Sequence, residues 1–420
     1  MAIKRLIVCL MAALAASVFI PHANGSVAES AANIAGWQQA NIPAQGAAHG
    51  WLLAPGSYIA CLAADSRGVL YAGVSGMPSN LYKSLDDGQS WQAIGNGTDA
   101  IIDMVIADDD TLYSATAYQI YKCVNDTNTV VASLSSRLTD PDTVISSIDV
   151  SPYNGSYAIL VGAKNQNNGQ FGGVFVIYGD VFMQWQDLGL AGCDVHTAAF
   201  SPQFPQDNCI VALANDETHT FVTWKAGSGN WAATIANAEL KNGETGSPLT
   251  EIETAKIAFP NDYSSNANSG NCVLYAALET GINDGDVYAV YGRQNPGQSI
   301  AEDLDVASSY GQNSIDIKGF NICGSLGDIC MMAGSSTSGH IYISSDGGNQ
   351  WQQSRKSPAG GQITSVLMSA DYQNNGKAYC ATGGSESAFS VSYDYGINWN
   401  QFSLIDTTQD ILIEAVVSPD

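Results

Sequence analysis

From about residue 57 onward the chain is a succession of short apolar runs, each closed by a polar turn. Ile59-Ala60-Cys61-Leu62-Ala63-Ala64 ends at Asp65, and Ile101-Ile102-Asp103-Met104-Val105-Ile106 runs into three aspartates. Ile148-Asp149-Val150 and Ala198-Ala199-Phe200 each stop at Ser-Pro, Ala258-Phe259 stops at Pro260, and Ser365-Val366-Leu367-Met368 follows the same plan. Runs of this length, with period-two alternation and Gly/Asn-rich punctuation, predict strands. No stretch shows sustained helical periodicity, so the fold class is all-β. The Ser-Pro and Phe-Pro endings read as strand exits, because proline cannot continue an interior ladder. The runs recur every ~40–60 residues, the period of a four-stranded propeller blade. One blade per run gives about seven: 57–96, 100–135, 144–190, 194–235, 250–304, 312–357 and 361–404. The polar stretches 164–173 and 262–271 read as long inter-strand loops.

A second pattern is laid over the first. Ser84, Asp86, Gly88 and Trp91 spell Ser-x-Asp-x-Gly-x-x-Trp; Ser344, Asp346, Gly348 and Trp351 repeat it; so do Ser392, Asp394, Gly396 and Trp399. The residue types suit a tight turn between two strands. The carboxylate accepts turn N–H groups, the glycine supplies a positive φ, and the tryptophan plugs the gap to a neighbouring sheet. These are structural roles. Asp180 with Trp185, and Trp231 alone, are degenerate copies. The pattern resembles the Asp-box, or BNR, repeat of bacterial sialidases, sortilin-type receptors, xyloglucan-cleaving hydrolases and photosystem II assembly factors. The resemblance covers three short windows. It implies a β-propeller with the boxes on blade hairpins, on the edge away from the usual ligand face.

The two chain ends predict how the ring closes. Trp37-Gln38-Gln39 repeats Trp351-Gln352-Gln353, so the N-terminal segment 26–56 reads as carrying an outermost strand. Residues 405–420 end in Ile411-Leu412-Ile413-Glu414-Ala415-Val416-Val417-Ser418-Pro419, which reads as an innermost strand. An incomplete eighth blade split between residues 36–43 and 409–418 is one way to cover both edges. The reading favours a chain that stops short of a longer repeat over an imperfectly closed ring.

Residues 1–25 predict a signal peptide. Lys4 and Arg5 precede an apolar stretch from Leu6 to Ile20, and Ala23-Asn24-Gly25 offers a cleavage site before Ser26. Nothing later is long and apolar enough to span a bilayer, so no integral span is expected after cleavage. The expected location is secreted or cell-surface.

Charge narrows the partners. The net charge is −25, from 15 basic and 40 acidic residues, while only 13% of the 420 residues are charged. Such a field disfavours nucleic acid and anionic lipid without implying disorder. A cysteine recurring at one repeat position, as at Cys209 and Cys272 or Cys330 and Cys380, reads as a small buried hydrophobe. Cys323 and Cys330 flank a predicted hairpin turn and can bridge it in an oxidising compartment. No zinc spacing occurs, and Asn283-Asp284-Gly285-Asp286 and Asp108-Asp109-Asp110 do not complete a calcium loop. No cofactor and no metal are therefore expected.

Function follows from what is present. The conspicuous residues build the fold, and no reactive constellation stands out. The expectation is a non-catalytic module that binds or scaffolds an extracytoplasmic protein, peptide or glycan, with the channel mouth as its ligand face. The alternative is a glycoside hydrolase with paired carboxylates. Asp65, Asp103, Asp149, Asp194 and Asp286 are candidates among which nothing in the sequence selects a pair. A sialidase fits worse, since only Arg67, Arg137, Arg293 and Arg355 remain beyond the leader to form its arginine cluster.

Overall fold

The computed structural model describes residues 58–404, apart from 76–78, 95–96, 98, 135–139, 180–183, 295–298 and 384–387. The signal-peptide segment, Trp37 and the C-terminal run from Ile411 lie outside the described residues.

Seven four-stranded antiparallel sheets follow one another along the chain, each an up-and-down meander, and they form a β-propeller. They span residues 58–93, 103–133, 143–187, 194–240, 254–303, 317–353 and 363–404. These blades and the windows expected from the apolar runs differ by at most five residues at either end, and in blade four the difference leaves a whole strand outside the window. The outer strand of blade four is Ala238–Leu240, beyond the expected end at 235. Trp231 stands in the connection before it, and Trp185 lies within the outer strand of blade three, Gln184–Asp187. Its companion Asp180 is outside the described residues.

The apolar runs read from the sequence fall in the first, inner strand of each blade, and the second strands are apolar as well. Cys209–Asn215 and Val273–Glu279 are buried at every residue, because each strand is covered on both faces by neighbouring blades. Outer strands are exposed, as at Gln92–Ala93. The core is correspondingly divided. Seven apolar clusters fill the seven blade interfaces, each joining side chains of two adjacent blades. The cluster that closes the ring packs Ile59, Leu70, Ala72 and Val74 against Tyr379, Ala381, Phe389 and Val391. Blade seven thus touches blade one directly, and among the described residues no strand stands between them. The segments expected to share a split closing blade, 36–43 and 409–418, lie outside the described residues.

Inner strands are tied to one another by side chains reaching the next blade's free amides. Ile148 N donates to Asp103 (3.0 Å), Phe200 N to Asp149 (2.7 Å) and Met368 N to Asn321 (3.0 Å). Being edge strands, they also tolerate proline. Ser151-Pro152 does not end its strand as expected, since Thr143–Tyr153 continues through it with Pro152 opposite Tyr157. The other two prolines do follow their strands, Asp194–Phe200 and Thr254–Ala258.

Four inner strands carry a β-bulge near their start. The register skips Ala60, Ser146, His196 and Lys318 in blades one, three, four and six. A bulge re-aims the extra side chain and twists the strand locally. Here it does so at one height around the ring.

Candidate binding site

The meander order sorts every connection onto one of two faces. First–second and third–fourth hairpins lie at one end of the blades. Second–third turns and blade-to-blade connections lie at the other. The three Ser-x-Asp-x-Gly-x-x-Trp windows occupy third–fourth hairpins of blades one, six and seven.

Their geometry is the same three times. The serine Oγ donates to the aspartate Oδ1 at 2.8 Å in each of Ser84–Asp86, Ser344–Asp346 and Ser392–Asp394. It accepts the amide of Gly88, Gly348 or Gly396 at 2.8–2.9 Å. The aspartate also accepts the amide four residues on, from Ser90, Gln350 or Asn398. Each glycine has φ between +83° and +92°. Each also abuts the preceding blade: a Cβ on Gly88 would stand 2.0 Å from Phe389, and one on Gly348 2.5 Å from Leu304. Trp91, Trp351 and Trp399 are buried. The indoles of Trp91 and Trp351 donate to the carbonyls of Gly88 and Leu304, while Trp399 Nε1 has no partner among the described residues.

The opposite face holds a different chemistry. Lys256 of blade five crosses the channel to Asp103 of blade two, with Nζ–Oδ1 at 2.9 Å. Lys318, on the blade-six bulge, pairs with Glu279 at 2.7 Å, and Thr254 donates to the same carboxylate. Lys164, near the end of the second strand of blade three, donates to the backbone carbonyl of Glu253 at 2.8 Å. Among the described residues it has no carboxylate partner. Burial lowers its pKa, opposed by the more distant Asp194 and Glu253. The bulged His196 is pushed down to about 3 by burial, with Lys164 adding to the effect, and so stays neutral. Its buried Nδ1 has no partner among the described residues. Three lysines and a neutral imidazole thus share one channel mouth in a chain with only 15 basic residues.

Beside the mouth, between blades four, five and six, lies a polar cleft of about 470 Å³. Asn242, Thr245, Thr280, Asn283 and Ser314 contribute to its walls. Its loop is rigid because Asp316 accepts the amides of Thr280, Gly281, Asn283 and Gly285. Turn chemistry of this kind also accounts for the Asn283–Asp286 stretch. Among the described residues no three His, Cys, Asp or Glu side chains converge as metal ligands.

The five candidate carboxylates are scattered, except for two. Asp65 accepts Val69 N and the Arg67 guanidinium in a turn, and Asp194 accepts Asn165 N and Gly172 N. Asp286 is fully buried; desolvation and then Asp303 raise its pKa, and one of its oxygens has no partner among the described residues. Asp103 and Asp149 stand on the inner strands of blades two and three. Asp149 is pushed up to about 7, first by burial, with the nearby Asp103 contributing. The sequence reading missed the channel lysines. The available signal was a lysine inside an otherwise apolar inner strand, Thr254-Ala255-Lys256-Ile257 and Ile317-Lys318-Gly319-Phe320, in a lysine-poor chain.

No family model matches the chain, and no curated protein matches it. Solved structures do. A streptogramin B lyase is 12% identical, with a TM-score of 0.52 over 79% of this chain and 92% of that one. A virginiamycin B lyase from Staphylococcus aureus is 11% identical, with a TM-score of 0.51 over 77% and 91%. The extracellular domain of a one component system from B. thetaiotaomicron is 15% identical, with a TM-score of 0.50 over 81% of this chain and 39% of that one. At these identities the likeness is one of fold, and it places the chain among the β-propellers. Among the described residues no helix is long and apolar enough to cross a membrane.

Proposed function

We propose that this chain is an exported, non-catalytic propeller that binds an extracytoplasmic protein, peptide or glycan at its channel mouth, and that its three repeated turns are structural Asp-boxes. The observation that carries the reading is the channel-mouth cluster of Lys164, Lys256, Lys318 and His196. Lysines are scarce in this chain, and desolvating one without a carboxylate partner costs stability. Half-buried Lys164 sits in that state beside His196, whose Nδ1 has no partner among the described residues, an arrangement suited to a ligand that supplies an acceptor to the ammonium and a donor to the imidazole. The box residues support the structural part, since their polar groups are engaged within their own turns and against the preceding blade. Export rests on the leader read from residues 1–25.

Charge reversal tests the site. Immobilised wild-type protein and Lys164→Glu, both shown to be folded by circular dichroism, are exposed to envelope extract and to a glycan array. The reading expects a partner retained by the wild type and released by the variant. Equal retention by both contradicts it.

One observation favours the second reading, a glycoside hydrolase. Asp103 and Asp149 approach each other, and Asp149 has the raised pKa of a general acid. Both oxygens of each already accept hydrogen bonds, however, from Lys256 and Ile148 N in one case and Val150 N and Phe200 N in the other. Turnover of a plant or bacterial glycan by the wild type, abolished in Asp149→Asn, establishes the hydrolase and removes the non-catalytic assignment.

A further inference from the structure

Eight cysteines lie among the described residues, and one pair differs from the rest. Cys323 ends the inner strand of blade six, Ile317–Cys323, and Cys330 begins the next, Cys330–Ser335. They are direct register partners across the antiparallel ladder. Opposed residues point to the same face, with Cα atoms about 4.5–5.5 Å apart, inside the range a disulfide spans. Both cysteines are half-buried. No other cysteine among the described residues has a cysteine as its register partner. Cys209, Cys272 and Cys380 are fully buried in blade-interface cores, whereas Cys323 and Cys330 are half-buried at the edge of one.

We infer that Cys323 and Cys330 form an oxidisable pair that closes as an intrachain disulfide by exchange with an oxidised thiol compound such as glutathione disulfide. Burial raises both thiols, and at Cys323 the neighbouring Cys330 adds to it and pushes the pKa up to about 12, so Cys330 is the first nucleophile. Cys330 attacks the glutathione disulfide, releasing one glutathione thiolate and forming a mixed disulfide. Cys323 loses its proton and attacks the Cys330 sulfur, releasing the second glutathione. Two S–H bonds are lost, one S–S bond forms, and two electrons pass to glutathione disulfide, which leaves as two glutathione molecules.

The bridge would staple a junction. Within the turn it closes, Gly324 O accepts Asn261 N (2.9 Å), Leu326 N donates to Asp262 (2.9 Å), Asp328 O accepts Gln373 Nε2 (3.2 Å) and Ile329 O accepts Gly347 N (3.2 Å). Blades five and seven and the second box are all fastened there. The capacity to form the bridge is a property of the fold. Its presence in the cell rests on the export reading, since cytosolic thiols are kept reduced.

A peptide map separates the two. Cleavage after Lys318 and Arg355 yields one peptide, 319–355, that holds both cysteines and no others. The full-length protein is equilibrated folded in glutathione buffers of increasing oxidised fraction, quenched in acid, unfolded, alkylated and digested. The expected peptide is two hydrogens lighter and unalkylated under oxidising conditions and doubly alkylated under reducing ones. Peptides carrying Cys209, Cys272 and Cys380 alkylate in both. Cys323→Ser should accumulate the Cys330–glutathione adduct, and the bridged protein should melt a few degrees above the reduced one. Two alkylatable thiols at every ratio, or a wild-type reaction that stops at the glutathione adduct, overturns the inference. A bridge that forms in these buffers but is absent from protein taken directly from cells contradicts the export reading and leaves the pair intact.

Discussion

Asp86, Asp346 and Asp394 each hold a serine hydroxyl and a backbone amide four residues on, so their work is done inside the turn. Removing one strands those donors. Asp346→Ala or Asp394→Ala should cost ~1–3 kcal/mol in chemical denaturation while leaving ligand affinity at 25 °C unchanged. Lost affinity in a folded variant would make the box part of the binding face. The buried titratable groups make a second, pH-dependent prediction. Asp149 has a folded pKa of about 7, above its unfolded value. The native state therefore keeps a proton that the unfolded chain releases between about pH 4 and 7, and stability falls as pH rises through that window. His196, at about 3, does the reverse. The unfolded chain holds the extra proton below about pH 6.5, so stability falls as pH drops. The two trends oppose each other in the wild type, and a variant is needed to separate them. Asp149→Asn mimics the protonated acid, and its melting temperature should gain on the wild type from about pH 4 to about pH 7 and then level off. A constant gap across that range would contradict the buried-acid assignment.

At the scale of strands and turns, most of the architecture was legible because its causes are local. The run 273–278 is apolar throughout since neighbouring blades cover both faces, and the Ser and Asp of the repeated turn find their hydrogen-bonding partners within eight residues. The bulges at Ala60, Ser146, His196 and Lys318 were not legible. They depend on which residue is skipped against a partner strand, and nothing in Val195-His196-Thr197 marks the extra residue. Pro152 misled for a related reason: proline ends interior strands, and only the assembled ring shows that an inner strand is an edge. The contact between blades one and seven gives this scale its test. Gly88 needs its positive φ and lies against Phe389, whose ring also meets Trp91 edge-on at 5.2 Å. Gly88→Ala should cost more than ~1 kcal/mol from backbone strain alone. Part of the clash should be relieved in a Phe389→Leu background, giving a non-additive double-mutant cycle. Strict additivity would mean that the two residues do not meet.

Taken whole, the molecule places its repeated turns at one end of its blades and its channel lysines at the other, the end proposed to meet the ligand. The box face was readable as a motif. The channel mouth was not, because it gathers Lys164, Lys256, Lys318 and Asp103 from four different blades, and only ring closure brings together residues as far apart as 103 and 256. Export belongs to this scale too. N-terminal sequencing of the protein recovered from culture medium or cell surface should begin at or near Ser26, and recovery of intact residues 1–25 in a membrane fraction would contradict the leader reading. The central claim is that the channel mouth is where this propeller meets its ligand. Hydrogen–deuterium exchange of the full-length protein, with and without the partner captured on immobilised wild type, tests it most directly. The account predicts slowed exchange at residues 164–170, 250–256 and 279–285, with the turns 84–91, 344–351 and 392–399 unchanged. Protection confined to those three turns, with none around Lys164, would contradict it.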